Sequence, residues 1–146
     1  MKKIDSFKGE YAWLSNMTNL SIPIVYQGIE CWSNECFYVA MKTKDQSIRK
    51  VVSLKNSFDA KKFGRVIALR DDWEAVKDKV MLYGLRAKFS NEPFKSKLLE
   101  TGDAYLEEGN WWGDTYWGVC KGVGENKLGI LLMQVRDELN SNQRLG

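Results

Sequence analysis

Asn126-Lys-Leu-Gly-Ile-Leu-Leu-Met-Gln-Val-Arg-Asp-Glu-Leu139 sets Leu128, Leu131, Leu132, Val135 and Leu139 at i, i+3, i+4, i+7 and i+11, the spacing of a helix with one apolar stripe. Asn126 stands where its N-cap belongs. Working back along the chain, Asn91-Glu-Pro93 opens a helix over 94–100 that Thr101-Gly102 stops. Asp71 or Asp72 caps a longer helix to about Ser90, with Trp73, Val76, Val80, Tyr83 and Ala87 near a helical repeat. Residues 47–54 and 57–66 read as two short helices with serine caps, and Gly64 lies near the end of the second. Ser33 or Asn34 caps a further helix to about Asp45 that is apolar on most of its surface and therefore largely buried. Between Phe7 and Ile29, notably in Ile22-Pro-Ile-Val-Tyr-Gln-Gly28, aromatic and β-branched residues punctuated by Asn, Gly and Pro read as short strands and turns. The expected fold is mainly α with a small β element near the N-terminus, an α+β domain. Without regular βα alternation it is not a Rossmann sheet.

With 146 residues, the chain has the size of one domain, and 44% hydrophobic content with six each of Trp, Tyr and Phe supplies its core. A single domain over 1–146 is expected, with disorder confined to 141–146. The net charge of +3, from 22 basic and 19 acidic residues, is too small to imply indiscriminate nucleic-acid binding. The chain contains no histidine, which excludes serine–histidine and cysteine–histidine nucleophile pairs. Cys31, Cys36 and Cys120 form an odd set without CxxC spacing, so reduced thiols are expected rather than disulfides or a zinc site. The N-terminus has no apolar signal segment and no run approaches the ~20 residues of a membrane span, so the expected location is cytoplasmic.

Chemistry must then rest on carboxylates and lysines. Glu35 and Lys42 are seven residues apart, close to two helical turns, which puts both on one face of the apolar helix. They either line a polar slot or serve a helix terminus and snorkel to solvent. In Trp111-Trp-Gly-Asp-Thr-Tyr-Trp-Gly118, Asp114 sits among aromatics fit to stack on a base or to plug a core. Residues 102–125 hold six glycines, and such long ordered loops commonly carry function. Gly122-Val-Gly-Glu-Asn126 leads into a helix N-terminus, where free N–H groups favour a phosphate, although an ordinary N-cap explains it equally well.

Several blocks, in order, resemble the NADAR family of YbiA-like N-glycosidases. They are Phe7-Lys-Gly-Glu-Tyr11 and Leu14-Ser-Asn16, then Trp32-Ser-Asn-Glu35, Ala40-Met-Lys42, Gly64-Arg65, Asp72-Trp73-Glu, Val76-Lys, Met81 and Lys88-Phe89. Leu98-Leu99, Thr101-Gly102, Leu106-Glu107, Asp114, Tyr116-Trp-Gly118, Gly124-Glu-Asn-Lys-Leu-Gly129, Leu132-Met133 and Arg136 complete them, covering about 7–139. The resemblance implies hydrolysis of an N-glycosidic bond, in ADP-ribose-type conjugates of a nucleobase, ADP-ribosylated DNA included, or of a protein, or in ribosylamino-pyrimidine phosphates of riboflavin synthesis, without metal or redox cofactor. It also implies catalytic roles for Glu35, Lys42 and Asp114. Asn16, Trp117, Gly118 and Asn126 match substrate-binding positions, and Arg65 and Trp73 match positions that bind or support. Where many relatives have histidine and glutamine, this chain has Cys36 and Val39, which opens the alternative of a non-catalytic ADP-ribose or NAD sensor. Segment 109–113 is also longer than in the pyrimidine-processing relatives.

Overall fold

The computed structural model describes residues 2–145, which fall into two compact units, one of residues 16–88 and one of residues 2–15 with 89–145. In chain order the elements are β1 (Lys3–Ile4), a 3-10 helix (Gly9–Leu14), β2 (Ile24–Tyr26), β3 (Ile29–Cys31), α1 (Asn34–Ala40), α2 (Gln46–Ser53) and α3 (Ser57–Gly64). They continue with α4 (Trp73–Phe89), α5 (Phe94–Glu100), β4 (Tyr105–Leu106), β5 (Gly109–Asn110), β6 (Val119–Cys120) and α6 (Lys127–Leu145). The α+β expectation holds.

In the unit of residues 16–88, β2 and β3 form an antiparallel hairpin, with Ile24 opposite Cys31. Its turn residues Gln27 and Gly28 both take positive φ, 46° and 82°, as a two-residue type I′ turn requires. Ser33 Oγ accepts the Cys36 N–H and caps α1, whose buried side packs on α2 and α3. The helix stops at Ala40, short of the expected Asp45. Met41 and Lys42 close it by donating to the carbonyls of Phe37 and Val39, and Asp45 is already capping α2 through the Ser47 and Ile48 N–H groups. Asp45 thus takes the place expected of a serine, as Asn56 does on α3 by accepting from Asp59.

Carbonyls after α1 are met by arginines. Arg49, buried, donates Nε to the Thr43 carbonyl at 2.8 Å, and Arg70 donates its backbone N–H to the Lys42 carbonyl at 2.7 Å while its guanidinium grips Asp72 with two bonds. On α4 the buried stripe runs through Trp73, Met81, Gly84, Leu85 and Lys88, whereas Val76, Val80 and Ala87 are half-buried and Tyr83 is exposed. The apolar pattern misplaced this face because a glycine and a lysine sit on its inner side.

The other unit is built on α6. Its Leu128, Leu132 and Val135 are buried with Ile4, Phe7, Leu98 and Leu106, while Leu131 and Leu139 are only half-buried. Buried Arg136 donates to the Ala104 carbonyl and to Thr101 Oγ1, tying the turn after α5 to α6. Strand β1 pairs in parallel with β4 and β5 with β6, so the segment expected to be all loop contains three short strands. Parallel partners distant in sequence leave no local alternation to read. Helix α6 continues through 141–145, which were expected to be disordered; Gly146 lies outside the described residues. No described helix is long and apolar enough to cross a membrane.

Candidate active site

Glu35 lies in the first turn of α1 and is half-buried, its N–H donating to the Asn16 carbonyl at 3.0 Å. That turn is pinned by its neighbour. The buried Asn34 amide donates to Asn16 Oδ1 at 2.8 Å and to Met81 Sδ at 3.4 Å, and its oxygen rests against Gly84, where a Cβ would collide with it. Asn16, the expected ligand position, therefore also sets the backbone that carries Glu35.

Lys42 is beyond α1, so the helical-face argument does not bring it to Glu35; the closing turn does. Its half-buried Nζ donates to the Gly64 carbonyl at 3.1 Å and lies 5.5 Å from the centre of the Tyr38 ring. Burial pushes the Lys42 amine below the usual lysine range, and the negative charge of Glu35 partly opposes that push. Trp73 is buried and meets the Tyr38 ring edge-on at 5.0 Å, a supporting position. Arg65 follows Gly64 at the C-cap of α3 and is exposed. Sequence reasoning missed Tyr38 and Asn34; the i, i+4 spacing of Tyr38 to Lys42 was the available signal for the first.

Cys36 and Val39, the expected departures from the family pattern, face inward. The Cys36 thiol donates to the Val52 carbonyl at 3.1 Å, and Val39 Cγ2 packs where a Gly64 Cβ would stand. Both are essentially without exposed surface. Their exchange alters packing among α1, α2 and α3.

In the other unit, Asp114 Oδ1 accepts the N–H groups of Tyr116 at 3.1 Å and Trp117 at 2.9 Å. Asn110 clamps the same turn, donating to the Asp114 carbonyl at 2.8 Å and accepting its N–H at 3.0 Å. Trp117 is half-buried, with the Tyr116 ring edge-on at 4.9 Å. Gly118 is buried, and any Cβ there would strike the Glu108 carbonyl. Trp111 and Trp112 project from the same loop, 76% and 45% exposed.

This turn also settles what the N-terminus of α6 does. The N–H groups of Glu125, Asn126, Lys127 and Leu128 donate to the carbonyls of Thr115, Gly118, Tyr116 and Trp117. The donors expected to be free for a phosphate are occupied by the Asp114–Gly118 loop. Asn126 is buried with φ +53°, and its side chain does not cap the helix: Oδ1 accepts the Glu108 N–H, and Nδ2 donates to the Leu106 carbonyl and Tyr105 hydroxyl. Asp114, Trp117, Gly118 and Asn126 are thus brought together in one unit, and Asn16, Glu35, Lys42 and Trp73 in the other.

The NADAR domain family matches residues 5–140. The chain belongs to the NADAR family. This NADAR domain is 35% identical over 139 residues to the N-glycosidase YbiA of Escherichia coli, covering 92% of this chain and 85% of YbiA. The solved NMR structure of E. coli YbiA matches with a TM-score of 0.84 at 32% identity, over 98% of this chain and 89% of that one. The Riboflavin biosynthesis protein VVA0006 of Vibrio vulnificus is 36% identical over 118 residues, 77% of this chain but 32% of that protein.

Proposed function

We propose that this NADAR domain, an N-glycosidase, cleaves the bond between a ribose anomeric carbon and a base or amine in ADP-ribose-type conjugates, with Lys42 and Glu35 as the reacting pair. One observation carries the reading: a lysine held half-buried at a fixed position beside a carboxylate, with its amine below the ordinary basic range. Burial that lowers the proton affinity of this amine favours its neutral form, which is the nucleophile. Its lone pair forms a bond to the anomeric carbon, the C–N bond electrons leave with the base, and the proton lost by the amine passes to the leaving nitrogen through Glu35. Ring opening gives an imine, and water then adds to it, releasing the sugar and regenerating Lys42.

In the second unit, the family resemblance assigns Asp114 a catalytic role and Trp117 a substrate-binding one. Gly118 and Asn126 serve by shaping that loop. Asp114→Asn tests this separately, with an expected loss of at least about tenfold in kcat/KM. The exposed Trp111 and Trp112 support a substrate with a stacking base and a long phosphate backbone, as in ADP-ribosylated DNA.

Borohydride reduction during turnover is expected to leave a sugar-sized mass increment on the peptide that carries Lys42, absent in Lys42→Ala. Unchanged activity in Lys42→Ala would remove lysine from the reaction altogether. A large rate loss with no trapped adduct in wild type would instead make Lys42 an electrostatic clamp for a carboxylate-activated water. The riboflavin-synthesis name of the Vibrio relative favours a second reading, cleavage of ribosylamino-pyrimidine phosphates. Incubation with ADP-ribosylated DNA and with those pyrimidines, scored by mass spectrometry for the released base, separates the two. The inward packing of Cys36 and Val39 lends no support to a silenced sensor.

A further inference from the structure

We infer that Tyr38 and Gly64 are positioning residues for the Lys42 amine, a ring below it and a carbonyl beside it that together fix its place. The inference rests on the reading that Lys42 reacts. Two contacts define the position: Nζ donates to the Gly64 carbonyl at 3.1 Å and sits 5.5 Å from the Tyr38 ring centre, within cation–π range. The ring is itself braced, since the buried Trp73 meets it edge-on at 5.0 Å.

Gly64 has no positive φ, so backbone freedom is not what requires glycine there. Space is. A Cβ would stand 2.8 Å from Val39 Cγ2 and 3.4 Å from Lys42 Nζ, so a larger residue pushes α3 away from α1 or displaces the amine from its acceptor. The close approach of α3 to α1 buries the amine and so favours its neutral form. The Gly64 carbonyl, the Tyr38 π-face and the Glu35 charge favour the ammonium. The amine is held between these opposing influences, with Glu35 the charged group that acts on it. Removing the ring's attraction while keeping the burial shifts the balance toward the neutral amine.

The test reads Lys42 directly, without substrate. The pH dependence of Lys42 acetylation by acetic anhydride is followed by peptide mass spectrometry in the full chain. Tyr38→Phe keeps a π-face and should match wild type. Tyr38→Leu removes it, and pentafluorophenylalanine at position 38 keeps the ring's shape while reversing its quadrupole. Both should move the labelling midpoint down by about 0.5–1 in pH. With substrate, at a pH above the labelling midpoint where ionisation no longer limits the rate, these two variants should lower kcat with KM near wild type because the amine is less well placed, and Gly64→Ala should lower kcat about tenfold or more at unchanged circular dichroism.

An unmoved midpoint in both Tyr38→Leu and the fluorinated variant, or full kcat in Gly64→Ala, overturns the inference. The fluorinated variant guards against Tyr38→Leu failing to fold. Full activity of Lys42→Ala would refute the catalytic reading alone, because the labelling midpoint is measured without turnover.

Discussion

Replacing Asn126 should destabilise the loop it holds, and the order of its variants should invert the usual one. Its amide holds two backbone groups, accepting the Glu108 N–H at 3.0 Å and donating to the Leu106 carbonyl at 2.9 Å, at a position 2% exposed. Its third bond, to the Tyr105 hydroxyl, counts for little because Tyr105 is exposed and recovers water. Leaving one buried and one partly buried backbone group unsatisfied costs about 3 kcal/mol in Asn126→Ala. The φ of +53° adds about 1 kcal/mol, since alanine, unlike asparagine, does not readily enter the left-handed region.

The expected loss is therefore about 4 kcal/mol for alanine and about 3 kcal/mol for glycine, which lacks the backbone penalty. At about 3 °C per kcal/mol for a chain of this length, the midpoints should fall by roughly 12 °C and 9 °C. Calorimetry and urea titration read this directly. A drop under about 3 °C for Asn126→Ala, or alanine proving more stable than glycine, would refute the claim that this amide and its left-handed backbone hold the loop.

Lys88 is 2% exposed, and burial pushes its amine down to about 7. The unfolded chain keeps that proton to about pH 10.5, so between these values unfolding takes up a proton and stability rises with pH. Relative to Lys88→Met, the wild-type unfolding free energy should gain roughly 1.4 kcal/mol per pH unit from pH 7.5 to 9.5 in urea titrations, and parallel curves would contradict it. Among the thiols, Cys31 and Cys36 are fully buried, and a hydrogen bond to Cys36, then burial, holds the Cys31 thiol well above its usual range. Cys120 is half-buried, so a thiol-disulfide reagent should modify one cysteine rapidly in the native protein and none in Cys120→Ser. Gly84→Ala should destabilise by about 2 kcal/mol or more in the same titrations, because its Cβ would displace the Asn34 amide. Wild-type stability there would mean that Asn34 can move without cost.

Much of the local setting of the candidate site residues was legible one residue at a time. Glu35 falls in the first turn after a serine cap, Lys42 is near it, and Asp114 is followed by the aromatic pair that its carboxylate caps. The same logic failed where the deciding group was distant. The donors before α6 read equally as an anion site or an ordinary N-cap, yet four carbonyls from the 115–118 turn occupy them. Local competition also moved boundaries: Asp45 and Asn56, stronger acceptors one or two residues ahead of the serines, capped α2 and α3 and left Lys42 outside α1.

By itself the amino-acid sequence determined the helical periodicity, the turn chemistry, the exclusion of imidazole catalysis and the run of blocks that marks a NADAR chain. Caps, glycine turns and apolar repeats are properties of neighbours along the chain, so they survive without tertiary context. Only the tertiary structure decided that Lys42 is partly desolvated over Tyr38, that Cys36 and Val39 point inward, and that β1 pairs with β4, distant from it in sequence. Burial and hydrogen-bond occupancy depend on which distant atoms exclude water from a group, and spacing along one strand or helix does not encode that.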